Sequence, residues 1–313
     1  MKNSALPLVS LIVAISLIGS MSAMVLTGDE DDVSYIYTTM SWQQEMVQEV
    51  VGDSYEVKSF LKPNSDPHSS ALTPSMIISG NAVAYFAIAS HIEWEENNLD
   101  AIKEQNDIPV FECCEELIEK GIMDELIHGG CDHEEHDHHG HDHEGHSHAY
   151  DPHVWTSPER LKQIAEYVKE KMTELDPDNE DVFEAGLNSY LGKVETLRVL
   201  EAKLLVDKAV GEIIVWHPSW TYLLPHDVAE SSILPTSQSL TTPGEIMKLK
   251  GGTAEKPLTV FLSNELEIKG LSEKELNDSG VYVRIIVLNA LAMNWLEELE
   301  KAIITFGEEL PEA

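Results

Sequence analysis

Three histidines share a local pattern that suits metal binding. Asp66-Pro67-His68 and Asp151-Pro152-His153 are the same tripeptide, and His217 lies between Trp216 and Pro218. Proline fixes φ, so each ring is presented from a stiff turn, as a preorganised metal site requires. For any one of these histidines alone, an ordinary turn or core residue would be the simpler interpretation. The repeated tripeptide favours a shared metal site, with His68, His153 and His217 as ligands.

The chemistry of three neutral imidazoles favours zinc. Such a set binds Zn(II) well and leaves a fourth position for water or a carboxylate. Asp66 and Asp151 are candidates to orient the second ring nitrogen of the adjacent histidine. His91, His128 and His226 lack the pattern and are interpreted as ordinary residues.

An acidic, histidine-rich stretch, His133 to His148, lies just before the second tripeptide. Its sequence, HEEHDHHGHDHEGHSH, has no apolar residue, so it predicts a solvated loop, residues 128–150. The interleaved carboxylates attract cations, which favours auxiliary metal binding over a merely solvated charged run. The eight candidate auxiliary ligands are His133, His136, His138, His139, His141, His143, His146 and His148.

The net charge of the chain limits the kinds of molecule that it can bind. The formal net charge is −36, with 56 acidic and 20 basic residues. Phosphate backbones would be repelled, so nucleic acid is excluded as a partner. The balance suits a solvent-facing protein that handles cations.

The N-terminal segment, residues 1–28, predicts membrane targeting. Leu6 to Leu26 is mostly apolar, a length closer to the roughly 20 residues of a spanning helix than to a signal core. Lys2 precedes it and acidic residues follow, which places the body of the chain outside the cytoplasm. An uncleaved anchor is favoured over a signal cleaved near Ser20 to Ala23.

The three cysteines leave several possibilities open. Cys131 lies two residues before the histidine-rich run and could form a disulfide with Cys113 or Cys114, or act as a soft metal ligand. An equally good interpretation is that all three are unremarkable small residues.

Strand and helix patterns alternate along the chain. A helix over 41–51 has Ser41 as its expected N-cap and Gly52 as its stop, and Pro74 opens a short helix. Ser157-Pro158-Glu159 begins a helix that runs to about Leu175, and helical spacing without proline continues from Asp178 to Asp207. A last helix is expected over 291–306. The predicted strands are 33–39, 55–61, 82–90, 108–111, the segment GEIIVWHP, 257–262 and 281–288.

This alternation predicts an α/β fold with two lobes, each with a parallel-type sheet, bridged by one long α-helix. The expected parts are an N-terminal metal-binding lobe over 33–177, the linking helix over 178–207, and a C-terminal metal-binding lobe over 208–313. In that arrangement His68 and His153 come from the first lobe and His217 from the second, so the metal would lie between the lobes.

The chain resembles the cluster A-I solute-binding proteins, the extracytoplasmic metal-binding subunits of zinc and manganese ABC importers. The resemblance covers roughly residues 33–306 and rests on LKPNSDPHSSALTPS, the acidic histidine loop, DPHVWTSPERL and IIVWHPSWTYL. It implies a periplasmic-binding-protein-like fold, Zn(II) as the bound ion, and a membrane permease with a cytoplasmic ATPase as partner. It also implies a monomer that is no enzyme and shows limited movement of the lobes.

Within that family a histidine as third ligand is typical of zinc binders, so His217 favours zinc over manganese. The family usually has an Asp at the end of a late strand, where this chain has Asn289, and an acidic residue near Glu265. Asn289 and Glu265 are therefore further candidate ligands. Ala71 stands where a Glu commonly follows the first histidine.

Two other functions are weighed against zinc delivery. A metal-dependent adhesin or surface zinc buffer would need no transporter. A zinc hydrolase would use three histidines plus water, but the chain has no HExxH motif to supply a general base.

Deleting residues 131–148 should lower the total Zn(II) stoichiometry but leave one tight site, because the three proline-flanked histidines lie outside the deletion. Calorimetric titration of the deletion variant beside the intact chain measures both quantities. Loss of the tight site would contradict this division between a tight site and a collecting loop.

Overall fold

The computed structural model describes residues 33–65, 67, 81–88, 92–105, 107–124, 150–211, 213–215, 217–232, 252–263 and 272–313. Residues 34–313 form one compact unit. The expected N-terminal anchor, the helix opening at Pro74 and the histidine-rich loop lie outside the described residues. Among the helices of the described part, none is both long and apolar enough to cross a membrane.

The first half of the chain forms a four-stranded parallel sheet with the order β2-β1-β3-β4. All four of its predicted strands are confirmed, and two helices that the sequence patterns did not single out follow β3 and β4. The elements are β1 (Tyr35–Thr38), α1 (Ser41–Val51), β2 (Glu56–Ser59), β3 (Ala82–Ala87), α2 (Glu93–Gln105), β4 (Val110–Glu112) and α3 (Cys113–Glu119).

Helix α1 starts in a different way from the prediction. Ser41 is its first helical residue, and the N-cap position is Met40. The side chain of Gln43 reaches back before the helix, where its Oε1 accepts from the backbone N–H groups of Thr39 and Met40 at 3.1 and 3.0 Å. A glutamine at the third helical position can bond to the backbone of the N-cap residue in this way, and the helix begins one residue earlier than an N-cap at Ser41 would place it. The helix ends at Gly52 as predicted, with φ at +58°.

Two helices connect the halves of the chain. Helix α4 (Pro158–Leu175) begins as predicted, with Ser157 Oγ accepting from the backbone of Arg160. Helix α5 (Glu180–Leu204) has 25 residues, about 37 Å, and is shorter than the expected 178–207 because a 3₁₀ turn occupies Pro177–Asn179. It packs against α1 and α4 of the first half and against the last helix of the second. The expected bridging helix is therefore present.

The second half forms a three-stranded parallel sheet with the order β5-β6-β7. The last helix starts at Trp295 rather than near Leu291, because Asn294 takes a left-handed conformation with φ at +55°. The elements are β5 (Ile213–Val215), α6 (His226–Ser232), β6 (Leu258–Leu262), α7 (Glu273–Asp278), β7 (Val283–Val287) and α8 (Trp295–Glu309).

The strand order places the chemically interesting turns at the carboxyl edges of the two sheets. In a parallel sheet all strands point the same way, so the loops that follow them share one edge. Asn64 follows β2, His217 follows β5 and Asn289 follows β7. Cys113 and Cys114 begin α3 directly after β4; both are buried free thiols, and burial raises the pKa of each.

Helices α1 and α5 cross at Gly186. A Cβ atom at this position would lie 2.2 Å from the backbone oxygen of Glu49 and 2.5 Å from that of Val50. Neither backbone oxygen can move without shifting α1. Only glycine therefore permits this close approach of the two helices.

Gly186→Ala should lower the free energy of unfolding by about 1–3 kcal/mol or more, because it forces the two helix backbones apart. Gly192→Ala is the matched control: the same helix has open space at that exposed position. It should raise stability by roughly 0.5–1 kcal/mol through helix propensity. Chemical denaturation of both variants measures the difference, and equal effects would contradict the tight crossing.

Candidate metal centre

His153 is fixed by a buried carboxylate two residues earlier. Asp151 Oδ1 accepts from the backbone N–H of His153 at 2.9 Å and lies 2.7 Å from ring Nδ1. Asp151 is fully buried and His153 is 4% exposed. The backbone changes direction here because His153 is followed at once by the 3₁₀ turn Val154–Thr156. In that turn Thr156 Oγ1 donates to the carbonyl of His153. The sequence-based expectation that Asp151 orients His153 agrees with these contacts.

This contact decides which nitrogen of His153 is available. A carboxylate only accepts, so Nδ1 must carry the hydrogen that faces Asp151. In the neutral ring, Nε2 then has a free lone pair. The side of His153 that faces away from Asp151 is therefore the side that can bind a cation.

That free nitrogen faces His217. The two Nε2 atoms are 3.1 Å apart, and the rings meet nearly edge to face, at 82°. Two lone pairs at this distance repel unless a proton or a cation lies between them. Two ligands of a tetrahedral zinc with bonds of about 2.0–2.1 Å are separated by about 3.3 Å, close to the observed spacing.

His217 is positioned by the turn after β5. Its carbonyl accepts from the backbone N–H of Ser219 at 2.7 Å, within the start of the 3₁₀ turn Pro218–Trp220. Ser219 Oγ lies 2.6 Å from Ser263 Oγ, directly after β6. The turn is thus tied to the neighbouring strand, and its histidine is held at the edge of the second sheet.

A residue of the second half supports the backbone of Asp151. Tyr222 is buried, and its hydroxyl donates to the carbonyl of Asp151 at 2.7 Å. Burial, with the Asp151 charge as the next cause, raises the pKa of Tyr222, so the hydroxyl keeps its proton. The guanidinium of Arg160 lies 3.7 Å from the Tyr222 ring centroid and pairs with Asp124 at 3.1 Å. Nothing in the local sequence marked Tyr222 or Arg160, since their partners are distant along the chain.

The structure brings together two of the three predicted histidine ligands. His68 lies outside the described residues, although the carbonyl of its neighbour Pro67 accepts from the backbone of Trp94. Glu265, Cys131 and the eight loop histidines also lie outside them. Within the described ranges, no group of three or more His, Cys, Asp or Glu side chains is arranged to hold a metal ion. The full ligand set therefore stays a prediction.

The amide of Asn289 forms two hydrogen bonds. Its Nδ2 donates to Asn64 Oδ1 at 2.6 Å, and its Oδ1 accepts from the backbone N–H of Leu291 at 3.0 Å. These bonds occupy one of the two N–H groups of the amide and one of the two lone pairs of its oxygen. The assignment of Asn289 as a metal ligand stays a prediction.

Comparisons with known proteins agree on one group. The family model described as zinc-uptake complex component A, periplasmic, matches residues 36–302. The zinc-binding lipoprotein AdcA of Streptococcus pneumoniae is 27% identical over 195 residues, which is 60% of this chain and 36% of that protein. The zinc-binding protein AdcA of Streptococcus pyogenes is 24% identical over 303 residues, which is 88% of this chain and 58% of that protein. The chain thus spans less than two thirds of the length of these relatives.

Solved structures share the fold. The crystal structure of ZnuA superposes with a TM-score of 0.65 at 22% identity and covers 90% of this chain and 100% of that one. The Zn(II)-bound ZnuA-like domain of Streptococcus pneumoniae AdcA gives 0.61 at 17% identity, covering 88% and 98%. At these identities the likeness establishes the architecture, two parallel sheets and a long helix. With the family match over most of its length, the chain belongs to the ZnuA family of periplasmic zinc-uptake components.

Proposed function

We propose that this protein is the solute-binding component of a zinc importer. It binds Zn(II) outside the cytoplasm between its two lobes and delivers the ion to an ABC permease driven by a cytoplasmic ATPase. The bound ion is cargo, and the ligands are His68, His153 and His217. The family is one of binding proteins for transport rather than of enzymes, which supports a role without catalysis.

The observation that carries the proposal is the pair of facing imidazole nitrogens. Their 3.1 Å separation suits two ligands of one cation, and the pair joins a turn of the first half to a turn of the second. In the neutral ring of His153, the contact with Asp151 selects the tautomer whose Nε2 carries the lone pair that faces His217. Nitrogen ligands favour zinc over manganese, which prefers oxygen.

Other parts of the chain are assigned roles by their composition. Residues 1–28 tether the protein to the membrane, with the body in the extracytoplasmic space as a monomer. The loop over 128–150 collects zinc at lower affinity and raises its local concentration near the tight site. The lipoprotein among the relatives fits attachment to a membrane, although no cysteine lies near the N-terminal segment of this chain.

The triple substitution His68→Ala, His153→Ala and His217→Ala should abolish one tight Zn(II) site and leave weaker sites in the loop. Isothermal calorimetry on residues 29–313 measures both classes. His226→Ala, at the exposed start of α6, is the control and should bind as the unmodified chain does. Equal binding by the triple variant would mean that the loop does all the binding, which would favour a surface zinc buffer or adhesin.

Asp151→Asn should weaken Zn(II) binding at the tight site by about 10–100-fold, because the neutral amide no longer holds Nδ1–H of His153 by charge. Asp53→Asn is the matched control, since that carboxylate is exposed in the 3₁₀ turn Gly52–Ser54, which precedes β2 and so lies away from the carboxyl edge of the sheet. Competition against a zinc chelator of known affinity measures both variants. Unchanged affinity in Asp151→Asn would mean that the buried carboxylate has no part in binding.

A further inference from the structure

Two asparagines form a polar clasp between the halves of the molecule. Asn289 Nδ2 donates to Asn64 Oδ1 at 2.6 Å, and the backbone N–H of Asn64 donates to the carbonyl of Leu291 at 2.9 Å. Asn289 Oδ1 accepts from the backbone of Leu291, which holds the amide in place. The clasp, Asn64 with Asn289 and Leu291, thus joins the turn after β2 to the turn after β7.

The turn that presents Asn64 is stiff. Ser65 N–H donates to the carbonyl of Lys62 at 3.0 Å, and the two central residues are Pro63 and Asn64. Asn64 has φ at +64°, the conformation that the second central residue of a type II turn requires. Asparagine tolerates this conformation and also provides a side-chain amide, so one residue serves both the turn and the contact.

A second set of contacts between the halves is buried and differs in character. Trp155 Nε1 donates to the carbonyl of Ala290, and Trp295 Nε1 donates to the carbonyl of Trp155, both at 2.8 Å. Both indoles are 1% exposed. Asn64, in contrast, is exposed and Asn289 is partly exposed. Water can replace the hydrogen bond between the asparagines but has no access to the tryptophans, so the clasp can open before these buried contacts do.

The clasp lies where it can affect release of the ion. Both of its turns are at the carboxyl edges of the sheets, as is the turn of His217, and the connection from Asn289 to Trp295 also contacts Trp155, two residues from His153. Separating the Nε2 atoms of His153 and His217 requires the two halves to move apart. Any such movement must break or bend the clasp.

We propose that the Asn64–Asn289 clasp sets how long the protein retains its bound ion. This inference rests on the proposed function, since it assumes a cation between His153 and His217. In this role Asn289 is a positioning residue that acts on the halves, and the contact of its amide with Asn64 is what matters.

A double-mutant cycle with aspartate tests the direct contact. In Asn64→Asp the carboxylate still accepts from Asn289 Nδ2. In Asn289→Asp the amide of Asn64 can rotate to donate instead, because an amide offers either end. The double variant has two facing carboxylates and no donor. Asn64→Asp should release Zn(II) within about twofold of the unmodified rate. The double variant should release it about tenfold faster than Asn289→Asp, which is the reference for any separate effect at position 289.

The measurement is stopped-flow mixing of the Zn(II)-loaded full chain with excess EDTA. The control is Asn97→Asp with Asn188→Asp, which adds the same two charges at exposed positions on α2 and α5 and should release at the unmodified rate. Additive effects in the cycle would overturn the proposal. So would slower release in Asn289→Asp with no effect of Asn64→Asp, because position 289 would then act as a ligand.

Hydrogen–deuterium exchange on the zinc-free protein separates this proposal from the proposed function. The backbone N–H groups of Asn64 and Leu291 are donors in the clasp, so peptides that contain them should exchange faster in the double variant. If the unmodified chain binds no Zn(II), the proposed function fails while exchange still tests whether the clasp forms. Faster exchange with an unmodified release rate would show that the clasp forms without governing retention, and would overturn the inference.

Discussion

The approach of two imidazole nitrogens to 3.1 Å is the constraint on which the rest of the structure depends. One ring follows the buried Asp151 in the first half and the other follows β5 in the second. The proposed zinc site requires its ligands to be held within about 0.5 Å, so each half must be rigid and the two must keep one fixed relative position. Three sets of contacts contribute to this rigidity. They are the bond from the Tyr222 hydroxyl to the Asp151 carbonyl, the buried hydrogen bonds of Trp155 and Trp295, and the contact of Ser219 with Ser263.

The long helix α5 and the helices packed against it hold the two halves in that relative position. Helix α5 packs on α1 and α4 of the first half and on α8 of the second, so one helix supports both halves of the molecule. Because residue 186 is a glycine, the backbones of α1 and α5 can come into direct contact at this position. Glu45 of α1 in turn accepts from the N–H groups of Asn294 and Trp295, at the start of α8. These contacts fix the positions of α1, α4, α5 and α8 relative to one another.

Much of this architecture could be predicted from local pattern. Alternating apolar strands and capped helices gave the α/β class, the bridging helix and the start of α4 at Ser157-Pro158. The stiff tripeptide around His153 and the proline after His217 marked two side chains that the fold does bring together. These signals are visible because each depends on residues that are close along the chain.

What local pattern could not provide are contacts between distant segments. Tyr222 and Asp151 are 71 residues apart, and Asn64 and Asn289 are 225 apart. In each pair, the residues next to one partner in the sequence give no indication of the other partner. The start of α1 was also missed: Ser41 looked like a cap but is the first helical residue, and the side chain of Gln43 instead holds the backbone N–H groups of Thr39 and Met40, which precede the helix. The start of α8 moved to Trp295 because Asn294, a residue type that tolerates the left-handed conformation, adopts it directly before the helix.

The two buried thiols have a consequence for chemical selectivity. Thiolate sulfur is a strong ligand for zinc and would compete with imidazole for the same ion. Desolvation, followed for Cys114 by nearby negative groups that include Asp151, keeps both sulfurs protonated. A protonated thiol is a poor nucleophile and a poor ligand, so both side chains also resist oxidation. The Asp151 carboxylate, which holds the ring of His153, thus also contributes to keeping the Cys114 thiol protonated.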